Sequence, residues 1–160
     1  MLRKFLKTFH EIGAVGVMGS FAACLVLIIT APAQPLVAYA AVLGGVAAIT
    51  KWLLVPSLAL VVISGLLALA ANKAYVEAGW AWVKALLGIG LFEGTLMTVS
   101  GSARHAAELS ALAVAGSGDA AQLAEVLHTA WGGLWLLLGV SVTNVILAVW
   151  RPRLVMRASR

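Results

Sequence analysis

The sequence predicts an all-α integral membrane bundle of four helices, and two observations carry this prediction. Hydrophobic residues make up 62% of the chain and charged residues only 11%, whereas soluble domains carry about 25% charged residues. Four segments contain almost no charged residues: residues 12–30, 52–71, 81–101 and 129–150. Only the third segment contains any, namely Lys84 and Glu93. Because roughly 20 apolar residues in a helix cross a hydrocarbon core of about 30 Å, each segment can span a membrane.

The first two helices are predicted over residues 4–30 and 36–71. Pro32 and Pro35 separate them, because proline lacks the backbone N–H that a helix interior needs. At about 1.5 Å per residue the second helix is roughly 50 Å long, which exceeds the thickness of the bilayer. We therefore expect it to project beyond the outer surface or to bend at Gly44-Gly45 or at Pro56.

The last two helices are predicted over residues 79–115 and 120–150, and both also extend beyond the membrane on the outer side. A Gly-Ser-Gly-Asp turn separates them, and Asp119 at its end suits the N-cap position of the fourth helix. The four spans and their connections use all of residues 1–160. We therefore expect a single four-span transmembrane domain.

The distribution of Lys and Arg predicts the orientation. With four spans, both termini and the turn at residues 72–79 share one side, which holds eight basic residues: Arg3, Lys4, Lys7, Lys73, Arg151, Arg153, Arg157 and Arg160. The other side holds only Lys51 and Arg104. Basic loops stay on the cytoplasmic side, so both termini are expected there, in a multi-pass protein of the bacterial inner (plasma) membrane. Basic residues at span ends are not a nucleic-acid footprint, so no nucleic-acid partner is expected.

Glycines mark faces on which helices can pack closely. Gly13, Gly16 and Gly19 lie on the first helix, and Gly90 and Gly94 lie four residues apart on the third. Small residues let helix backbones approach where lipid offers no hydrophobic driving force between helices. These faces indicate either packing within the bundle or a partner, which would be a second copy in a homodimer or a larger membrane complex.

Polar side chains from all four helices are expected at one level near their inner ends: His10, Ser64, Lys84 and Asn144, with Glu11 beside His10. An ionisable group in lipid is costly unless it faces a partner or a cavity. This level can therefore be a site for an anionic or redox-active ligand, with His10 as ligand or proton carrier and Lys84 as counter-charge. The alternative is that His10 and Glu11 lie at the headgroups while Lys84 extends its ammonium group to the interface.

Three short motifs lie in the first three helices: Lys7-Thr8-Phe9-His10-Glu11-Ile12-Gly13, Pro56 with the later Gly65-Leu66, and Gly79-Trp80-Ala81-Trp82-Val83-Lys84. They resemble the motifs of HemJ-type four-helix protoporphyrinogen oxidases. CopD-type copper-resistance membrane domains and an uncharacterised bacterial family of integral membrane proteins share this general style. The HemJ resemblance implies a haem b site in which His10 and Lys84 are the important pair. The histidine that this family carries later in its third helix has no counterpart, since residues 92–94 are Phe-Glu-Gly.

Glu93 is expected roughly 20 Å along the third helix from its inner end, within the hydrocarbon core. Nine residues separate it from Lys84, which places the two on opposite helix faces and prevents a direct pair. An ionised carboxylate at this depth is costly, so hydroxyl partners such as Thr95, Thr98 or Ser57 are expected. Glu93 is then either an internal proton site or a hydrogen-bonded tie between helices.

Two His–Glu pairs flank the turn between the third and fourth helices. His105 and Glu108 are three residues apart, as are Glu125 and His128, so each pair shares one helix face. Two imidazoles and two carboxylates suit zinc, copper or iron, and the two histidines could also hold a haem near the outer surface. The alternative is an exposed, solvated flank of a helical hairpin.

The sequence leaves three functions open and does not decide whether the protein is an enzyme. The first is redox or porphyrin chemistry on haem b or a quinone-like ligand, bound by His10, Lys84, Ser64 and Asn144, with catalytic roles for Lys84 and Glu93. The second is a non-catalytic accessory or structural subunit of a larger membrane complex. The third is transition-metal binding at the outer hairpin, through His105 and His128, with His10 a further metal-ligand candidate at the inner end. No phosphate-binding glycine loop supports a nucleotide site.

Overall fold

The computed structural model describes residues 1–32 and 34–150, and within these it is a bundle of helices without strands. Its helices are α1 (Leu2–Thr30), α2 (Leu36–Ile49), α3 (Val55–Ala70), α4 (Lys73–Val76), α5 (Gly79–Gly94), α6 (Gly101–Val114) and α7 (Ala120–Trp150). Two π-helical segments, Thr50–Leu54 and Thr95–Ser100, join α2 to α3 and α5 to α6. Arg151, Arg153, Arg157 and Arg160, four of the residues behind the predicted orientation, lie outside the described residues.

Four continuous helical stretches are long and apolar enough to cross a membrane: Lys4–Thr30, Leu36–Ala70, Gly79–Val114 and Ala120–Trp150. The prediction of an all-α membrane protein with four spans is therefore confirmed. One end of the bundle holds the start of α1 and the turn between α3 and α5, and it takes the name inner end from the predicted orientation. Toward this end α1 packs against α3, α3 against α5, and α5 against α7. Toward the outer end α2 packs against α6, and α6 against α7. The side chains of Phe21, Leu54, Leu58, Val99 and Leu134 fill the centre of the bundle and are almost fully buried.

The second span changes its helical geometry just before Pro56, one of the two positions at which a bend was predicted. Pro56 lies at the start of α3, and the π-helical segment Thr50–Leu54 directly precedes it. Because proline offers no N–H to the carbonyl four residues earlier, the ladder must rearrange there. The second π-helical segment, Thr95–Ser100, contains no proline and lies against the first.

The turn between α6 and α7 confirms the predicted cap. The Asp119 carboxylate accepts hydrogen bonds from the backbone N–H groups of Ala121 (2.9 Å) and Gln122 (3.3 Å). Gly116 has φ of 81°, a left-handed conformation that favours glycine. Gly118 lies so close to Ala113 that a Cβ there would be 2.5 Å from its Cα. These contacts set the start of α7, and hence the height of its polar residues.

Candidate functional site

A cavity of about 530 Å³ opens between the inner halves of α1, α3, α5 and α7. Its volume lies within the range of about 300–1,000 Å³ that is typical of sites for small ligands and cofactors. His10, Lys84 and Asn144 line this cavity, and Ser64 is buried behind the His10 ring. The structure thus brings together the four residues expected at the inner level.

The hydrogen bonds of His10 define which ring nitrogen is available to a ligand. Its Nδ1 lies 3.0 Å from the Val61 carbonyl oxygen and 3.2 Å from Ser64 Oγ. A carbonyl oxygen only accepts, so Nδ1 carries the proton and donates it to Val61. The Ser64 hydroxyl donates to the Leu60 carbonyl at 2.6 Å. Nε2 is then the nitrogen left with a lone pair for a ligand or a proton.

Gly65 gives the His10 ring its space. A Cβ built at Gly65 would lie 3.4 Å from His10 Cε1 and 3.6 Å from Nδ1. A methyl group fits there in ordinary contact, whereas a larger side chain would collide with the ring. The small size of Gly65 therefore has a physical role in this protein, because it allows α3 to hold the ring against the Val61 carbonyl.

The mouth of the cavity carries an excess of positive charge. Lys4, Lys7 and Lys84 line it together with one carboxylate, Glu11. The rest of the lining is mostly apolar and includes the buried side chains of Val17, Leu58, Leu69 and Leu91. Such a cavity suits an amphipathic molecule with an anionic or strongly polar head and an apolar body.

Two residues of α7 that line the cavity carry buried oxygen atoms without hydrogen-bond partners in the described part of the chain. They are the Oγ of Ser141, a residue only 6% exposed, and the Oδ1 of Asn144. A buried polar atom without a partner is costly and calls for a ligand or water. Sequence reasoning missed Ser141, although its position three residues before Asn144 places it on the same face of α7.

Glu93 does not face this site. Its side chain is exposed on the surface of the bundle, whereas Gly88, Leu91 and Thr95 are buried. Glu93 follows Leu91 by roughly 200° around the helix, so it points away from the buried face. Lys84 lines the cavity, and the predicted opposition of Lys84 and Glu93 is present. Among the described residues, no other helix covers the side of α5 that carries Glu93.

The expected hydroxyl partners do not reach Glu93. Within the described residues no hydrogen bond or ion pair is recorded for its carboxyl group. Thr95, one of those partners, is fully buried, and its Oγ1 makes no hydrogen bond to any described residue. Glu93 therefore presents an unpaired carboxyl group to the lipid in a single copy of the chain.

The outer hairpin keeps its charged side chains near solvent. His105 Nδ1 lies 3.8 Å from Glu108 Oε2, with the two side chains 45% and 62% exposed. Glu125 and His128 are exposed on α7. Among residues 1–32 and 34–150, no three side chains of His, Cys, Asp or Glu come together in a group that could hold a metal ion.

Comparisons of the chain with protein-family models, curated proteins and solved structures find no match. The likeness to HemJ-type and CopD-type proteins thus rests on the short motifs alone.

Proposed function

We propose that this protein binds haem b or a quinone-like ligand in its inner cavity, in the cytoplasmic leaflet of a bacterial plasma membrane, for redox or porphyrin chemistry. The observation that carries the proposal is His10. Its Nδ1 is held by the Val61 carbonyl, and it lines a cavity bordered by three lysines. A charged or ligating side chain within a membrane span is functional by default when it faces a cavity.

The residues present fit haem b. Histidines that bind metals commonly donate the other ring N–H to a backbone carbonyl, which fixes the tautomer and raises the basicity of the free nitrogen. His10 has this arrangement and would hold the iron through Nε2. Lys84 and the lysines at the mouth of the cavity would bind the two carboxylate groups of the haem. Haem b would supply a redox-active iron, and the apolar walls would exclude water from it.

A quinone-like ligand fits the same cavity through a different set of contacts. Its ring needs hydrogen-bond partners at both ends, and the cavity offers His10 on α1 and the unpaired Ser141 and Asn144 on α7. The amide oxygen of Asn144 would accept a hydrogen bond from one hydroxyl of the reduced form, and His10 Nε2 would accept one from the other hydroxyl. His10 acts as a proton carrier in this case.

A second function, that of a non-catalytic accessory subunit, is favoured by the exposed carboxyl group of Glu93. A carboxyl group facing lipid without a partner is expected to be covered in the assembled state. The partner would be a second copy or a larger membrane complex. In this case replacing His10 or Lys84 leaves function intact, whereas enlarging Gly90 or Gly94 removes it.

The test of the first proposal is a set of oxidised and reduced visible spectra of the full-length protein in detergent. Metal analysis and a quinone assay of its organic extract are made on the same sample. We expect a Soret band or a stoichiometric quinone that is lost in His10→Ala and retained in His128→Ala, the matched control on the outer hairpin. Lys84→Met should lower the affinity for the same ligand by roughly tenfold, the loss of one charge-assisted contact. A protein without colour or quinone, or a ligand retained in His10→Ala, would refute the proposal.

A further inference from the structure

The exposed face of α5 combines a carboxyl group with small and flexible apolar neighbours. Glu93 lies roughly 21 Å along the third span from its inner end, inside the hydrocarbon core. Gly90, one turn before it, is exposed, and a Cβ built there would meet no atom within 4 Å. Met97, one turn after it, is 77% exposed. No other helix of the described chain covers this face.

A single copy leaves this face in an unfavourable state. The carboxyl group has no hydrogen-bond or ion-pair partner among the described residues, and lipid offers none at this depth. Lys84 cannot serve, because it lies on the opposite side of α5 and lines the inner cavity. The partner of Glu93 must therefore come from outside the described residues and must lie at the same depth in the membrane.

We propose that a second copy of this chain covers the face, with the two Glu93 carboxyl groups hydrogen-bonded to each other at a two-fold axis. All copies insert with one orientation, so a two-fold axis normal to the membrane places each residue near it opposite its own counterpart at the same depth. An uncharged carboxyl group both donates and accepts, so it is complementary to itself. The two groups thus supply the partners that each lacks.

The surroundings of Glu93 permit the close approach that this contact requires. A groove of about 370 Å³ runs along the seam of α5 and α7 beside it. Of the glycines that line the groove, Gly90 and Gly132 are open, since a Cβ built at either would meet no atom within 4 Å. Glycines let helix backbones approach closely in a membrane, where association depends on packing and interhelical hydrogen bonds. The interface lies on the side of α5 away from His10, so the inference does not depend on ligand binding.

The inference is tested by energy transfer between labelled full-length copies, diluted in lipid bilayers to obtain a dimerisation constant. We expect a dimer in the wild type and in Glu93→Gln, whose amide also donates and accepts. Glu93→Leu should dimerise roughly tenfold more weakly, because both carboxyl hydrogen bonds are lost. The matched control Glu125→Leu, on the outer hairpin, should dimerise as the wild type does.

Cross-linking supplies a second measurement that does not depend on the energetics of Glu93. Cys24 is buried, so a new cysteine on the surface reports on its own position. Met97→Cys should form a cross-linked dimer in bilayers, whereas Ile63→Cys, which is 58% exposed on the second span, should not. A monomeric wild type, equal dimerisation in Glu93→Leu, or a different protein cross-linked at Met97→Cys would overturn the inference.

Discussion

The inner cavity and the outer hairpin contain similar side chains in different physical settings. At the inner end His10 is half-buried, bonded to a backbone carbonyl 3.0 Å away and placed in a cavity. At the outer end His105 is 45% exposed and lies 3.8 Å from the exposed carboxylate of Glu108. The difference teaches that residue type and helical spacing do not make a site. A site also requires enclosure by several helices, because enclosure removes the water that would otherwise compete for the polar side chains.

Among variants that test this difference, Gly65→Leu is expected to have the largest effect, a loss of ligand affinity at the inner cavity. The Leu side chain would occupy the space of the His10 ring and push it from the Val61 carbonyl, since even a Cβ lies 3.4 Å from His10 Cε1. We expect the affinity for haem b or the quinone to fall by more than about tenfold. Titration of the ligand-free protein with each ligand measures this.

Two controls separate the ring displacement from general overpacking. Gly65→Ala adds only the Cβ, which makes ordinary contact, so it should bind nearly as the wild type does. Gly19→Leu enlarges a glycine with no atom within 4 Å of its built Cβ, so it should leave binding unchanged. Wild-type affinity in Gly65→Leu would show that the ring position does not matter to the ligand.

The sequence predicted the spans well because hydropathy reports directly on the solvent of each segment. The bilayer requires about 20 apolar residues per helix, and the four stretches in the structure follow that requirement. The cap at Asp119 and the rearrangement before Pro56 were also predictable, since both follow from the chemistry of one residue. The π-helical form of that rearrangement was not, because it depends on packing between spans.

The direction of each helix face was harder to predict. In a soluble protein the apolar face points inward, but in a membrane the lipid-facing and core-facing sides are both apolar. Spacing could show that Lys84 and Glu93 oppose each other, yet not which of them points inward. The same ambiguity hid Ser141, whose small hydroxyl is common in helices that only pack. Contacts with neighbouring helices decide these directions, and a single sequence does not contain them.

Asn144→Leu is expected to have smaller effects of opposite sign on stability and on ligand binding. The variant removes a buried oxygen that has no hydrogen-bond partner among the described residues. Without ligand it should raise the free energy of unfolding by about 1 kcal/mol, because an unsatisfied polar group is lost. With a quinone-like ligand it should weaken binding several-fold, because a hydrogen-bond acceptor is lost. Denaturant unfolding and ligand titration measure the two effects on the same preparation.

The neighbouring Thr143→Val is the control for Asn144→Leu. The Thr143 hydroxyl already donates to the Gly139 carbonyl at 2.9 Å and is exposed, so its removal should neither stabilise the ligand-free protein nor change binding. If Asn144→Leu destabilises the ligand-free protein and binding is unchanged, the amide serves helix packing rather than a ligand.

The smallest effect is expected at the outer hairpin, from Glu108→Ala. This carboxylate lies 3.7 Å from Arg104 Nε and 3.8 Å from His105 Nδ1, and its own side chain is 62% exposed. Exposed pairs of this kind contribute little, because water screens the charges and ordering two long side chains costs entropy. We expect the free energy of unfolding to change by less than about 0.5 kcal/mol. Ligand binding at the inner cavity should be unchanged.

The small change in stability expected for Glu108→Ala tests directly whether the outer hairpin, unlike the inner cavity, lacks a bound ligand. A transition metal held by His105 and His128 would tie α6 to α7, and its loss would destabilise the protein far more than the loss of an exposed ion pair. Metal content of the purified protein, measured beside the unfolding of Glu108→Ala and His105→Ala, distinguishes the two cases. A stoichiometric metal that disappears in His105→Ala would make the outer hairpin a second site.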